Sequence, residues 1–235
     1  MEPALEILFE DNHLIAVNKR PGDIVQGDKT GDEPLGERLK AYIKEKYRKP
    51  GSVFVGVPHR LDRPTSGVVL FARTSKALER LAGLFREGGV RKTYWAMVQA
   101  RPPRDEDTLV HYLTRNPQQN KSYLADQPSP GAREARLSYR LLLSLDRYHL
   151  LEVEPGTGRH HQIRAQLARI GCPIKGDLKY GARRSNPGGG IHLHAREVNF
   201  LHPVKGTPVR IVADPPPDPL WDEARRRLAE SQLPD

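Results

Sequence analysis

The sequence predicts an α+β protein built on a largely antiparallel sheet with helices against it. Three observations lead there. Apolar runs of strand length outnumber the segments with helical spacing. The strands fall in adjacent pairs instead of alternating strictly with helices. Polar turn residues separate the members of a pair, beginning with Asp11-Asn12.

Taken in order, LEILFEDNHLIAVNK reads as two short strands around that turn, and KRPGDIVQGDKTGDEP follows as a Gly-, Asp- and Pro-rich loop. From Leu35 to Tyr47 the apolar positions Leu35, Leu39, Tyr42 and Ile43 recur at helical spacing among charges, which predicts a surface helix. SVFVGV reads as a short strand, HRLDRPTSG as a turn-prone basic segment, and GVVLFAR as another strand. Thr74 or Ser75 can cap a helix whose Leu78, Leu81 and Phe85 form the buried stripe, and Gly88-Gly89 ends it. KTYWAMVQ is a strand by its β-branched and aromatic content; Tyr94 shares a face with Lys92 and Ala96, while Thr93 and Trp95 face the other way.

The segment from 115 to 134, RNPQQNKSYLADQPSPGARE, is the most loop-like and is expected to be a surface insertion. ARLSYRLLLSL and RYHLLEVEP form a strand pair with a turn at Asp146. A helix from about His160 to Ile170 carries Ile163, Leu167 and Ile170 on one side and stops at Gly171, before Pro173. GARRSNPGGG reads as a flexible basic loop, IHLHAREVNF and PVRIVAD as the closing strands, and PLWDEARRRLAE as a terminal helix. With no internal repeat and no long linker, residues 1–235 are expected to form a single domain.

The 235 residues include 38 Lys and Arg against 29 Asp and Glu, a net charge of +9. That excess favours a polyanionic partner, nucleic acid foremost; a merely basic protein is the plain alternative. The single cysteine, Cys172, allows no internal disulfide and fits a reducing compartment. MEPALEILFEDNH lacks the basic and apolar regions of a signal peptide, and no apolar run approaches a membrane span. A cytoplasmic protein with no membrane partner is expected.

Two segments carry unusual chemistry. HRLDRPTSG, residues 59 to 67, sets one carboxylate, Asp62, between Arg60 and Arg63. Flanking arginines favour the ionised acid and also attract phosphate. EPGTGRHHQIR, residues 154 to 164, puts Arg159, His160, His161 and Arg164 at a helix start, where backbone N–H groups already favour anions. An ordinary strand-to-helix turn is the competing reading. His160, His161, His192 and His194 with Asp177 would suit a zinc hydrolase, but neither HExxH nor a cysteine pair is present, and hydrogen-bonded packing is the expected role. Thr65 and Ser66 lie in no GxSxG context, KTG in GDKTGD lacks P-loop spacing, and Cys172 is expected to pack beyond a helix end. Tyr94, as a strand aromatic, reads first as core.

HRLDRPTSGVVLFAR, KTYWAMV, LLEVEPGTGRHHQIRAQLARIGCPIKGDLKYG and LHAREVNFLHPV resemble, in that order, the motifs of the RluA-type RNA pseudouridine synthases. DNHLIAVNKRPG is similar to the family's opening strand and Lys-Pro-Gly segment, with Arg20 as a departure between the lysine and the proline. The resemblance runs from about residue 5 to 213. It implies the pseudouridine synthase fold, a largely antiparallel mixed β-sheet flanked by helices with a central basic active-site cleft. The sequence starts directly at the catalytic-domain strand, so no accessory S4-type domain is expected.

The resemblance also implies roles. Asp62 is the catalytic aspartate, which attacks or deprotonates the ribose side of a uridine so that the base detaches, turns and reattaches through C5. A carboxylate in a closed pocket loses hydration and needs a fixed cation, and Arg164 is the expected salt-bridge partner. Tyr94 lies against the target uracil, and Arg60 fills the space left when the base leaves its stack. Arg63, Arg159 and His161 are further expected RNA contacts, and Leu193 is a candidate for the apolar floor of the pocket. No metal and no cofactor are expected, since isomerisation consumes neither electrons nor water. The expected partner is RNA, ribosomal or transfer, not DNA, and the chain is expected to be a monomer. A non-catalytic RNA-binding module and a zinc hydrolase stand as the alternatives.

Overall fold

The computed structural model describes residues 4–27 and 30–231, so Asp28 and Lys29 of the GDKTGD loop lie outside the described residues. The chain divides into two compact units: residues up to Lys92 with Ala195–Asp214, and Thr93–His194 with the segment from Pro215. Strands and helices mix in both, and every strand pairing given below with its register is antiparallel.

In the first unit β1 (Ile7–Glu10) and β2 (Leu14–Lys19) form the expected hairpin. The Asp11 carboxylate closes it by accepting from the N–H groups of His13 and Leu14, each at 2.8 Å. β2 pairs with β3 (Ser66–Ala72) in a register running from Lys19 opposite Gly67 to Leu14 opposite Ala72. β3 neighbours β9 (Leu193–Leu201), whose Glu197–Leu201 part carries β10 (Pro208–Val212). All seven residues of β3 are buried, so its apolar run does not alternate.

Two helices belong to this unit. α1 (Leu35–Lys46) buries Leu35, Leu39 and Ile43, whereas Tyr42 turns its hydroxyl to Glu10 at 3.0 Å. α2 (Ser75–Glu87) starts at Thr74, whose side chain accepts from the Ala77 N–H, and ends at Gly88 with φ 77°. Its Leu81 enters a core with Leu14, Ala16, Val68, Leu70, Phe200 and Ile211.

SVFVGV is not a strand. Gly56 alone bridges Ala72, exchanging both backbone hydrogen bonds at 2.8 and 2.9 Å. The next such pair would set residue 58 opposite Leu70, and Pro58 has no N–H to give. The Leu70 N–H, which such a pair would direct at the residue-58 carbonyl, donates to Nε2 of His59, at 2.9 Å. Gly67 is required for a different reason. Its φ is +113°, and a Cβ there would stand 2.3 Å from the Ala195 carbonyl oxygen and 2.6 Å from its nitrogen. Gly67→Ala is therefore expected to cost about 3 kcal/mol, combining a strained positive φ of about 1–2 kcal/mol with overpacking of about 1–3 kcal/mol. The urea midpoint should fall at unchanged slope. An unshifted midpoint would show that β9 can move aside.

In the second unit the strands lie in the order β4 (Arg91–Val98), β8 (His149–Pro155), β7 (Arg133–Ser144), β5 (Glu106–Asn116), β6 (Lys121–Ala125). The stretch expected to be a surface insertion is thus largely ordered: β6 pairs with Tyr112–Asn116, and residues 117–120 make the turn, with Asn120 at φ 46°. Its polar composition misled because β6 is an edge strand, where only Ser122 is fully buried and Tyr123 faces solvent. β5 alternates Leu109 and Leu113 inward with Val110 outward.

α3 (Gln162–Arg169) begins two residues later than the sequence suggests, because His161 adopts a left-handed backbone, φ 54° and ψ 22°. It ends at Ile170, and Gly171 follows with φ +80°. α4 (Pro219–Glu230) is capped by the Asp218 carboxylate, which accepts from Leu220 and Trp221 N–H groups. The alternation along β4 holds: Tyr94 packs on a core with Ala96, Val153 and Leu167, while Trp95 packs with Met97, Leu150 and Trp221.

Candidate active site

In the first unit, Asp62 sits half-buried on the loop between Gly56 and β3. Its carbonyl accepts from the Thr65 N–H at 3.0 Å, closing a turn over Arg63-Pro64. Two side chains shape this loop. Lys19, at the end of β2 and 1 % exposed, donates to the carbonyls of Arg20 at 2.9 Å, Arg63 at 3.0 Å and Thr65 at 2.7 Å. All three ammonium N–H groups are thereby spent on main chain, two of them on residues that follow Asp62. Arg20, the departure from the family pattern, enters this cradle through its backbone carbonyl.

On the other side of Asp62, His59 stacks on Phe85 with ring centres 4.2 Å apart and accepts from β3. Burial, reinforced by Lys92, pushes its pKa down to about 3, so the ring is a neutral acceptor. Burial likewise lowers Lys19 to about 7, opposed by the carboxylates of Asp23 and Asp62. Lys19 and His59 were not singled out from sequence; Lys19 was visible only as part of NKRPG. Arg60, two residues before Asp62 in the sequence, is exposed, and Arg63 is exposed but holds the Asp32 carboxylate and Thr30 Oγ1.

In the second unit, Tyr94 is half-buried on β4 opposite Val153 of β8. Leu193 is 4 % exposed and belongs to the same core cluster as Val153, Ile163 and Leu167. The start of α3 holds the basic cluster. Arg164 is buried, and its guanidinium makes a two-pronged pair with Asp177, Nε to Oδ2 at 2.7 Å and Nη2 to Oδ1 at 2.9 Å. The guanidinium carbon lies 5.1 Å from the ring centre of Tyr180, which ends a 3-10 turn at Leu178–Tyr180.

The Tyr180 hydroxyl accepts from the Ser122 N–H of β6 at 2.9 Å and lies 3.0 Å from Nδ1 of His161. His161 is 7 % exposed and stacks on His160 at 3.8 Å. Burial first, then the neighbouring Arg164, pushes its pKa down to about 2, so it is neutral at any working pH. The sequence expectation of an RNA-contacting His161 meets a side chain packed inside this network. Arg159 is exposed, and its Nε donates to the Glu134 carbonyl at 3.0 Å. Asp177 and Tyr180 were quoted in the family motif but assigned no role there.

The histidines of the zinc reading divide into pairs. His160 and His161 stack on each other, while His192 and His194 both lie against Trp221, with His192 Nε2 3.0 Å from the Asp218 carboxylate. Among the described residues no three His, Cys, Asp or Glu side chains are grouped as metal ligands.

Residues 13–169 match the family model described as RNA pseudouridylate synthase. The chain is 34% identical over 230 residues to tRNA pseudouridine synthase C of Pectobacterium carotovorum subsp. carotovorum, covering 89% of this chain and 58% of that protein. It is 35% identical over 230 residues to ribosomal large subunit pseudouridine synthase D of Xylella fastidiosa, covering 91% and 67%. Among solved structures it is similar to human RNA pseudouridylate synthase domain containing 4, with a TM-score of 0.77, 25% identity, and coverage of 95% and 93%.

Proposed function

Because the chain belongs to the RNA pseudouridylate synthase family, we propose that it isomerises uridines of structured RNA, transfer or ribosomal, to pseudouridine, with Asp62 as the catalytic carboxylate. The observation that carries the reading is the Asp62 loop. The loop that carries this half-buried acid is tied down on both sides of it, by the Lys19 side chain to the carbonyls of Arg63 and Thr65 and by the His59 ring to the Leu70 N–H. Such preorganisation is costly to build around a carboxylate that has no chemical task.

In the proposed reaction the bond between N1 of uracil and C1′ of ribose breaks, the base turns, and C5 bonds to C1′ while the C5 hydrogen leaves as a proton and N1 takes one up. Asp62 attacks or deprotonates the ribose side. Tyr94 lies against the uracil and Arg164 supplies counter-charge to the carboxylate. Extruding the nucleotide costs a few kcal/mol, and Arg60 fills the gap it leaves. Exposed arginines, Arg159 among them, offset that cost on the phosphates.

RNA transcribed with tritium at uracil C5 tests this. Incubation with the protein is expected to release tritium to water without added nucleotide or redox cofactor, in the presence of chelator, and with the RNA chain uncut. No release from authentic cellular RNA under any condition would leave an RNA-binding module; chain cleavage stopped by chelator would point to the metal reading.

A further inference from the structure

We infer that Asp177 and Tyr180 are positioning residues for Arg164, and that the backbone of β6 is what fixes Tyr180. The inference rests on the catalytic role proposed for Arg164 above. An arginine on a helix has four rotatable side-chain bonds, and burial alone does not choose among its rotamers. The Asp177 carboxylate does. Two parallel N–H···O bonds, at 2.7 and 2.9 Å, fix the guanidinium both in plane and in rotation about its axis. The side chains are 6% and 2% exposed, so the pair is desolvated and misaligned alternatives are disfavoured.

Tyr180 restricts the remaining motion, out of the guanidinium plane, by placing its ring 5.1 Å beneath the central carbon. Its own position is set by a strand edge. β6 is the last strand of its sheet, and at Ser122 the Tyr180 hydroxyl accepts from the N–H at 2.9 Å and lies 3.2 Å from the carbonyl. The hydroxyl thus stands where a further strand would pair. His161 adds a third contact at 3.0 Å, and its left-handed backbone turns the ring toward Tyr180 just before α3 begins. Lys179 donates to the carbonyl of Asn120 at 3.0 Å, which ties the tip of the β5–β6 hairpin to the same 3-10 turn.

A carboxylate and a ring that only support the fold would change stability; positioning residues change turnover at saturating RNA. Asp177→Asn keeps the shape but puts an amide N–H against one guanidinium N–H. In multiple-turnover tritium release its kcat is expected to fall about 100-fold, the scale of an ångström-level misplacement, with KM for RNA changed less than about 3-fold. Tyr180→Phe keeps the ring and loses the strand contact, and a fall of about 10-fold in kcat is expected. The decisive comparison is made in an Arg164→Lys background, where Asp177→Asn should cost little further, because both act through one fork.

Unchanged kcat in Tyr180→Phe and Asp177→Asn, or losses that multiply in full with Arg164→Lys, overturn the inference. If Asp177→Asn fails to fold, Tyr180→Phe alone decides, by its kcat and by the same cycle with Arg164→Lys. Full kcat in Arg164→Lys itself would instead sink the catalytic role of Arg164, and with it the premise.

Discussion

Asp62→Asn is expected to abolish tritium release from C5-labelled RNA while the protein still folds and still binds RNA. The substitution is nearly isosteric. The contacts that shape its loop go to main-chain atoms: Lys19 to the carbonyls of Arg63 and Thr65, the Thr65 N–H to the Asp62 carbonyl, and the Leu70 N–H to His59. None of these needs the carboxylate. The chemistry does, since an amide neither attacks nor deprotonates the ribose, and a loss of at least about 1,000-fold is expected, the scale seen when an acting group is deleted from a preorganised site.

A small stability signature should accompany it. Burial lowers Lys19 to about 7, and the Asp62 charge opposes that fall. Below pH about 7 the folded protein carries a charged Lys19, so losing Asp62 costs stability there. At pH 9 Lys19 is already neutral in the fold, and that cost disappears. The urea midpoint of Asp62→Asn should thus fall further below wild type at pH 6 than at pH 9. Retained tritium release would sink the assignment, and a collapse of stability at both pH values would make Asp62 a structural residue.

Arg164→Met should lose both activity and stability, a broader effect than removal of a catalytic counter-charge alone. The structure supplies the reason. Asp177 is buried against Arg164 and would be left without its cation. Breaking a buried pair from one side costs about 3–5 kcal/mol, a large part of the roughly 5–15 kcal/mol that holds a domain folded. Loss of turnover in this variant therefore says little until its urea midpoint is known. Two companions separate the effects. Arg164→Lys keeps the charge and loses the fork, so it should fold and turn over slowly. The double variant Arg164→Met with Asp177→Leu removes both charges, and its midpoint should recover most of the loss while turnover stays absent. Recovery of turnover with stability would show that Arg164 supports the fold and not the reaction.

The parts of this protein that local chemistry governs were legible in its residues. The turn at Asp11, the Thr74 cap and Gly88 stop of α2, and the opposite faces of Tyr94 and Trp95 each depend on residues within a few positions of one another. The family was legible through the ordered motifs around Asp62, Tyr94 and Arg164, and the match of residues 13–169 to the RNA pseudouridylate synthase model bears that out. What only the tertiary structure decided involves partners far apart in sequence. The stretch around Lys121–Ala125 became a strand because β5 offers it an edge, against its polar composition. SVFVGV failed to become one because Pro58 falls where β3 requires a donor, a register that no local pattern announces. His161 left the helix for a left-handed turn that reaches Tyr180, nineteen residues on. Lys19 reads locally as the charged end of a strand. Only the fold brings it to carbonyls forty-four and forty-six residues away, where three acceptors replace the water it loses on burial.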